Sequence, residues 1–343
     1  MSREPTDNAS QPTRRTILAA GGLAIAGVAG AKLVNWAAKR RKAAVFIACN
    51  QHYSGTLVKT IADGLVACGL QPDAFRGKQV LLKPNLVEPT RRIPYMTTHP
   101  MVIAAAGEAF RQWGATVRVG EAPGHIRDTE MALVESGVGE ALHDAGLEFA
   151  DLNYEEVDWR ANRGRFSPLS GIYLPRSVLE ADYVVSLPKM KSHHWVGVTC
   201  SMKNFYGVLP GIKYGWPKNV LHKNGIPQTV VDINATLPRT LAIVDGIDCM
   251  EGDGPIMGSL KHMGLVVVGQ NLTAVDATVA RLMGLEPSRV SYLSLAAGRL
   301  GPIDETLIEQ RGEPWQGLAS PFQILDQPHL RMLRATPAGP LVS

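Results

Sequence analysis

The stretch from Leu187 to Gly211 concentrates the residues best able to do chemistry. It runs Leu187-Pro188-Lys189-Met190-Lys191-Ser192-His193-His194-Trp195 and closes on Ser201-Met202-Lys203-Asn204-Phe205-Tyr206-Gly207. Lys189, Lys191 and Lys203, with Lys213 just beyond, set cationic donors beside two adjacent histidines, and the interleaved glycines let backbone approach a ligand. Such a set suits a carboxylate or a phosphate. A solvated basic loop is the alternative, but Trp195, Phe205, Tyr206 and the valines among them argue for partial burial. His193 and His194 are candidates for proton transfer because imidazole titrates nearest neutral pH, and Lys203 joins them as a catalytic candidate.

A second cluster is acidic. Asp245, Asp248, Glu251 and Asp253 fall within nine residues of a glycine-rich turn. Like charges this close require a cation, so the expectation is a divalent metal or pairing with the lysines. Glu121, Asp245, Glu251 and Asp253 are the candidate metal ligands, although the spacing is not that of an EF-hand. Lys83-Pro84-Asn85 and Glu121-Ala122-Pro123-Gly124-His125 form two further polar turns. Lys83, Lys189, Lys191 and Lys203 are expected to hold an anion that Asn85 and Asn204 orient.

Supporting roles fall to His99 and Asp276. His99 precedes Pro100 at a helix start, with Thr98 the expected N-cap. Asp276 lies in an otherwise apolar helix and needs a partner there, expected to be a lysine of the cleft held from behind. His125 and His222 read as isolated loop histidines with structural roles. Asp232 resembles Asp276 in its setting.

Elements able to position these groups are visible in the hydrophobic pattern. Short β-branched runs at 44–49, 79–83, 116–120, 182–187, 241–244 and 265–269 alternate with helical stretches at 55–68, 100–113, 129–145, 228–236 and 273–283. That alternation predicts an α/β fold, a mostly parallel or mixed sheet flanked by helices. The polar turns all follow strands, so they leave from the carboxyl edge of such a sheet, and one cleft there collects them. Gly69 and Gly114 stand where helix C-terminal caps belong. The segment from Glu313, rich in Pro, Gly and Gln, reads as a peripheral tail.

Composition excludes several classes. A formal net charge of +4 is not a nucleic-acid-binding balance. Cys49, Cys68, Cys200 and Cys249 show neither CxxC nor ferredoxin-like spacing, so no iron–sulfur or zinc-knuckle motif is present. No GxSxG elbow, GxxxxGK[ST] loop, HExxH pair or GxGxxG turn occurs either.

The N-terminus carries an address. Thr13-Arg14-Arg15-Thr16-Ile17-Leu18 precedes an apolar stretch that reaches Ala31, is interrupted by Gly21, Gly22, Gly27 and Gly30, and ends in Ala29-Gly30-Ala31. This is the pattern of a twin-arginine signal with a small-residue cleavage site, too short to span a bilayer comfortably. The expected layout is a signal over 1–31, a basic linker over 32–43, an α/β domain over 44–310 and a tail over 311–343. The export machinery is then a partner and the periplasm the destination, with membrane anchoring if the signal is retained. Export of folded protein favours a cofactor loaded beforehand.

Taken together, Gly77 to Val87, Thr98-His99-Pro100, Val119 to Gly124, Leu187 to Gly207, Asp245-Gly246-Ile247 with Glu251 to Pro255, and Ala274 to Ala277 resemble the family described as domain of unknown function 362. The resemblance runs in order from about residue 44 to 290. It implies an α/β fold and a site map, not an activity. Some members carry paired iron–sulfur motifs; this chain lacks them, so the electron-transfer role those members imply is not carried over to it. His194 through Lys203 and Pro210-Gly211 are also similar in arrangement to the histidine- and lysine-bearing loop of nickel-pincer lactate racemases. The reading that follows is an exported enzyme acting on a small organic anion, with a divalent metal. Its alternative is a non-catalytic cofactor-binding or escort protein for an exported redox partner.

Overall fold

The computed structural model describes residues 42–88 and 90–335, with the backbone of 341 and 342. The expected leader and nearly all of the basic linker lie outside the described residues. Twelve of the fourteen strands among the described residues organise the site: β1 (Ala43–Ala48), β2 (Gln79–Pro84), β3 (Thr116–Glu121), β4 (Glu148–Asp151), β5 (Val157–Ala161), β6 (Gly171–Pro175), β7 (Tyr183–Leu187), β8 (Lys189–His193), β9 (Gly197–Thr199), β10 (Thr240–Glu251), β11 (Ser259–Gly269) and β12 (Ile308–Gly312). The main sheet runs β12-β1-β11-β10-β7-β2-β3-β4, and β8 branches from β10 to carry β9. Strands β10, β7, β2, β3 and β4 are mutually parallel, whereas β11 is antiparallel to both β1 and β10. The sheet is therefore mixed and mostly parallel.

Both faces are covered, which is why the central strands read as continuous apolar runs rather than as alternating ones. Side-chain direction still alternates. Leu81, Val184, Val244 and Val267 enter one core, while Val80, Leu82, Val185, Ile243 and Val266 enter the other. Helices α1 (Leu57–Ala67) and α2 (Pro100–Gln112) seal the second core through Ile61, Leu65, Ile103 and Phe110. Helices α4 (Ile226–Thr236) and α5 (Leu272–Leu282) seal the first through Val230, Val275 and Val279, and the four-residue α3 (Ser201–Asn204) lies on that side.

Each expected strand and helix position is occupied, with three differences. The stretch expected to be one helix over 129–145 is two, Thr129–Ser136 and Val138–Asp144, because Gly137 takes a left-handed conformation (φ 74°) between them. His99, not Thr98, caps α2: its Nδ1 accepts from the Met101 amide at 3.2 Å. The Thr98 hydroxyl is engaged elsewhere, accepting from the Asn85 amide and donating to the Leu187 carbonyl. The segment after Glu313 is no peripheral tail, since Phe322, Ile324 and Leu330 are buried in the first core.

Candidate functional site

At the carboxyl edge, on the α4–α5 side, a cavity of about 350 Å³ opens between the ends of β2 and β3, the β8–β9 hairpin and the turn after β10. Its floor is built on Lys83. That ammonium lies 2.6 Å from the Glu121 carboxylate and donates to the Pro84 carbonyl and to Asn204 Oδ1 at 2.7 and 2.8 Å. Asn204 in turn donates its amide to the Lys83 carbonyl and the Ser186 hydroxyl. Lys83 and Asn204 are thus a clamp that ties β2, β7 and α3 together, with no donor left for a ligand. Glycine at 207 permits the clamp: a Cβ there would lie 2.0 Å from Glu121 Oε1 and 2.5 Å from Lys83 Nζ.

Burial raises the Glu121 carboxyl to about 7 against the pull of Lys83 and lowers Lys83 against the pull of Glu121. The pair stays together because each partner offsets the other's desolvation. Lys218, which sequence reasoning passed over, stands beside it, bonded to Asn153 Oδ1 and the Leu209 carbonyl. Burial brings Lys218 down to about 7.

Other donors in the cavity are unspent. Lys203 Nζ sits 3.8 Å over the Tyr206 ring and has no hydrogen-bond acceptor among the described residues. Burial, then the charge of Lys83, lowers it to about 7. The Thr199 hydroxyl is buried on the cavity wall without a partner among the described residues. Lys191 donates to Asn85 Oδ1, the Met96 carbonyl and the Pro255 carbonyl, which fixes the Asn85 amide with its NH₂ group unused. His193 accepts from the Trp195 amide at Nδ1, so the neutral ring carries its proton on Nε2 as a donor. Burial holds His193 well below the usual imidazole range. His194 is oriented by Asp253, 3.4 Å from its Nδ1.

His125 and His222 also line this cavity. Burial lowers both, His222 to about 4. Each histidine is unremarkable in its own loop, and only the folding of three chain segments onto one edge makes them neighbours. Thr199 carried no signal at all, being one hydroxyl among many.

Several expected members lie elsewhere: Asp245, His99, Lys189, which is spent on Asp245 rather than left for an anion, and Asp276. Asp245 shares the face of Ile243 and Ile247, so strand alternation turns it toward α2. There it takes the Lys189 ammonium at 2.6 Å and the His99 amide at 2.9 Å, beside Tyr53, which stacks on His99. Asp276 holds no lysine. Its carboxylate accepts from the amides of Ser201 and Met202 and from the hydroxyls of Ser201 and Tyr292. It therefore anchors the start of α3 and, through that turn, positions Lys203.

The four carboxylates considered as metal ligands do not converge. Glu121 faces Lys83, Asp245 faces Lys189, Glu251 faces Lys261 at 3.5 Å and Asp253 faces His194. No group of three or more His, Cys, Asp or Glu side chains is arranged to hold a metal among the described residues. The donor set as arranged does not fit a hard divalent cation, which takes six or more oxygens. What the cavity does offer is unspent N–H and O–H donors around a cationic wall, the complement of an anion.

Three comparisons say what the chain is similar to. A family model described as "Domain of unknown function (DUF362)" matches residues 80–281. A thylakoid-associated protein of Synechocystis sp. is 29% identical over 232 residues, spanning 66% of this chain and 68% of that protein. The lactate racemase apoprotein from Thermoanaerobacterium thermosaccharolyticum superposes with a TM-score of 0.35 at 16% identity, over 60% of this chain and 51% of that one. No helix among the described residues is long and apolar enough to cross a membrane.

Proposed function

The chain belongs to the family described as domain of unknown function (DUF362), and from that premise we propose that it is an exported enzyme acting on a small organic anion, carboxylate or phosphate, bound in the β2–β3–β8 cavity. One observation carries the reading: Lys203 Nζ and Thr199 Oγ1 are donors without acceptors, both on the wall of the same cavity. A buried polar group without a partner, as the Thr199 hydroxyl is, costs about 1–3 kcal/mol, and an anionic ligand removes that cost. Asn85 NH₂ and His193 Nε2–H supply further donors, while Trp195, Leu86 and Ile256 give an apolar wall to the ligand's body.

In this reading His194, held by Asp253, moves the proton, and Lys203 meets the anion or its reacting end. Titration calorimetry of the full chain with inorganic phosphate, acetate and a dicarboxylate tests it. Saturable binding that Lys203→Met abolishes supports the proposal, and an unchanged affinity in that variant sinks it. A non-catalytic escort draws support from a different observation, the exposure of Trp195 (56%) and Met257 (77%) near the cavity mouth, where a partner would dock. Turnover on a metabolite panel separates the two.

A further inference from the structure

Three lysines border the cavity directly, and two are committed. Lys83 has three acceptors and Lys218 two. Lys191, just behind the wall, has three neutral ones. Only Lys203 is left without. An ammonium has three protons to satisfy, and Lys203 meets instead the face of Tyr206, whose hydroxyl is fixed by Thr229 and the Ile226 carbonyl. The charged neighbours add to the effect, because Lys83 lies close enough to oppose a second positive charge. His125 and His222 face the same space, both lowered chiefly by burial, with the charge of Lys203 adding to it. No carboxylate pairs with Lys203 among the described residues.

We infer that Lys203 is a nucleophile, forming an imine with the carbonyl group of a 2-oxo acid or a similar carbonyl-bearing anion whose charge is met by the other donors of the cavity. The inference rests on the anion-binding reading above and deepens it by naming the reacting group. In the step, the Lys203 nitrogen attacks the carbonyl carbon and a C–N bond forms. The nitrogen sheds one proton and the former carbonyl oxygen takes one up, giving a carbinolamine. The C–O bond then breaks, the hydroxyl leaves as water with a second proton, and the nitrogen loses its last. One water is released, and nothing is oxidised or reduced. His193 Nε2–H is a donor for the developing alkoxide, and His194 with Asp253 carries the protons between nitrogen and oxygen. A free amine is the reactive form. With Lys203 at about 7, free amine at pH 7 exceeds that of an ordinary lysine roughly a thousandfold.

The test is reductive trapping on the full chain with glyoxylate, pyruvate and phenylpyruvate, each with sodium borohydride, followed by peptide mapping by mass spectrometry. The expected result is a saturable adduct on the peptide bearing Lys203, in large excess over exposed lysines such as Lys59, and lost in Lys203→Arg. Labelling spread evenly over surface lysines, or no adduct at Lys203 with any of the three acids, overturns the imine. Calorimetry on the same samples distinguishes the failures. Binding without an adduct refutes the imine and leaves the anion site standing; no binding refutes both. Because the adduct is mapped on the unaltered chain, the outcome does not depend on a variant folding.

Discussion

The Lys83 ammonium and the Glu121 carboxylate meet at 2.6 Å with 1% and 3% of their side chains exposed. The contact joins the carboxyl ends of two adjacent parallel strands, so the pair fixes the floor of the cavity. Removing one partner leaves a buried charge uncompensated. Glu121→Gln or Lys83→Met is expected to cost about 3–5 kcal/mol, while the double variant Lys83→Met with Glu121→Leu recovers much of the loss. Gly207→Ala, which pushes a methyl into the pair, is expected to cost about 1–3 kcal/mol. Urea unfolding midpoints check all of these, and a double variant no better than the singles contradicts the coupling.

Thr199→Val separates function from structure. The hydroxyl has no partner among the described residues, so its replacement by a methyl is expected to leave stability unchanged or raise it by about 1 kcal/mol. Anion affinity is expected to fall about tenfold, the worth of one hydrogen bond to a charged group. A destabilised variant with intact affinity is the contrary result.

Affinity for phosphate-free carboxylate anions is expected to fall as pH rises from 6 to 8. Lys203 and Lys218 both lose protons around 7, and each one that must be charged contributes about a tenfold drop over that interval. His222 adds nothing there, since it charges only near 4. Calorimetry with acetate at a series of pH values reads the slope, and a flat profile excludes both lysines.

The same two lysines govern stability in the opposite sense. Their folded pKa values lie below the unfolded value, so their contribution is fully present above about 10.4 and is lost as pH falls toward 7. The unliganded protein is therefore expected to gain stability between pH 7 and 10. Lys203→Met is expected to flatten part of that rise and to raise stability at pH 7 by about 1–2 kcal/mol. Chemical denaturation across the range decides it, and a variant with the parent's slope contradicts the assignment.

The proposed export rests on Arg14 and Arg15, which lie outside the described residues. Replacing both by lysine is expected to strand the protein in the cytoplasm, read by fractionation and immunoblotting, and undiminished export of the double variant removes the claim.

The strands and helices that carry the site were legible because sheets buried on both faces leave long apolar runs, as in Leu265 to Val268. The cleft was legible from polar turns following strands. What sequence spacing could not convey was side-chain direction. Asp245 sits one position past Val244 and so faces the other layer, and the irregular register between Gly246 and Asp248 returns Cys249 to the layer of Val244, which separates Asp245 from Glu251 although regular alternation would put them on one face. Nor could spacing tell a spent donor from a free one. Lys83, Asn204 and Lys203 looked alike as ligand groups, yet the first two satisfy each other across 121 residues and only the third is unoccupied. Histidines 125 and 222 looked ordinary because their company comes from distant segments. Strand β12 was invisible for a related reason: Ile308–Gly312 is short, partly polar and at an edge, where burial on both faces is not required.

That edge strand bears on how the chain is made. β1 is held on one side by β11 and on the other by β12, and Gln310 bonds to the Val45 carbonyl across 265 residues. Pairings of such sequence separation are the slow ones to close. During synthesis β1 emerges first among the strands of this sheet yet acquires both neighbours last, so Val45 and Ile47 stay uncovered until the ribosome has nearly finished. Truncation before Ile308 accordingly leaves that first strand open on one side.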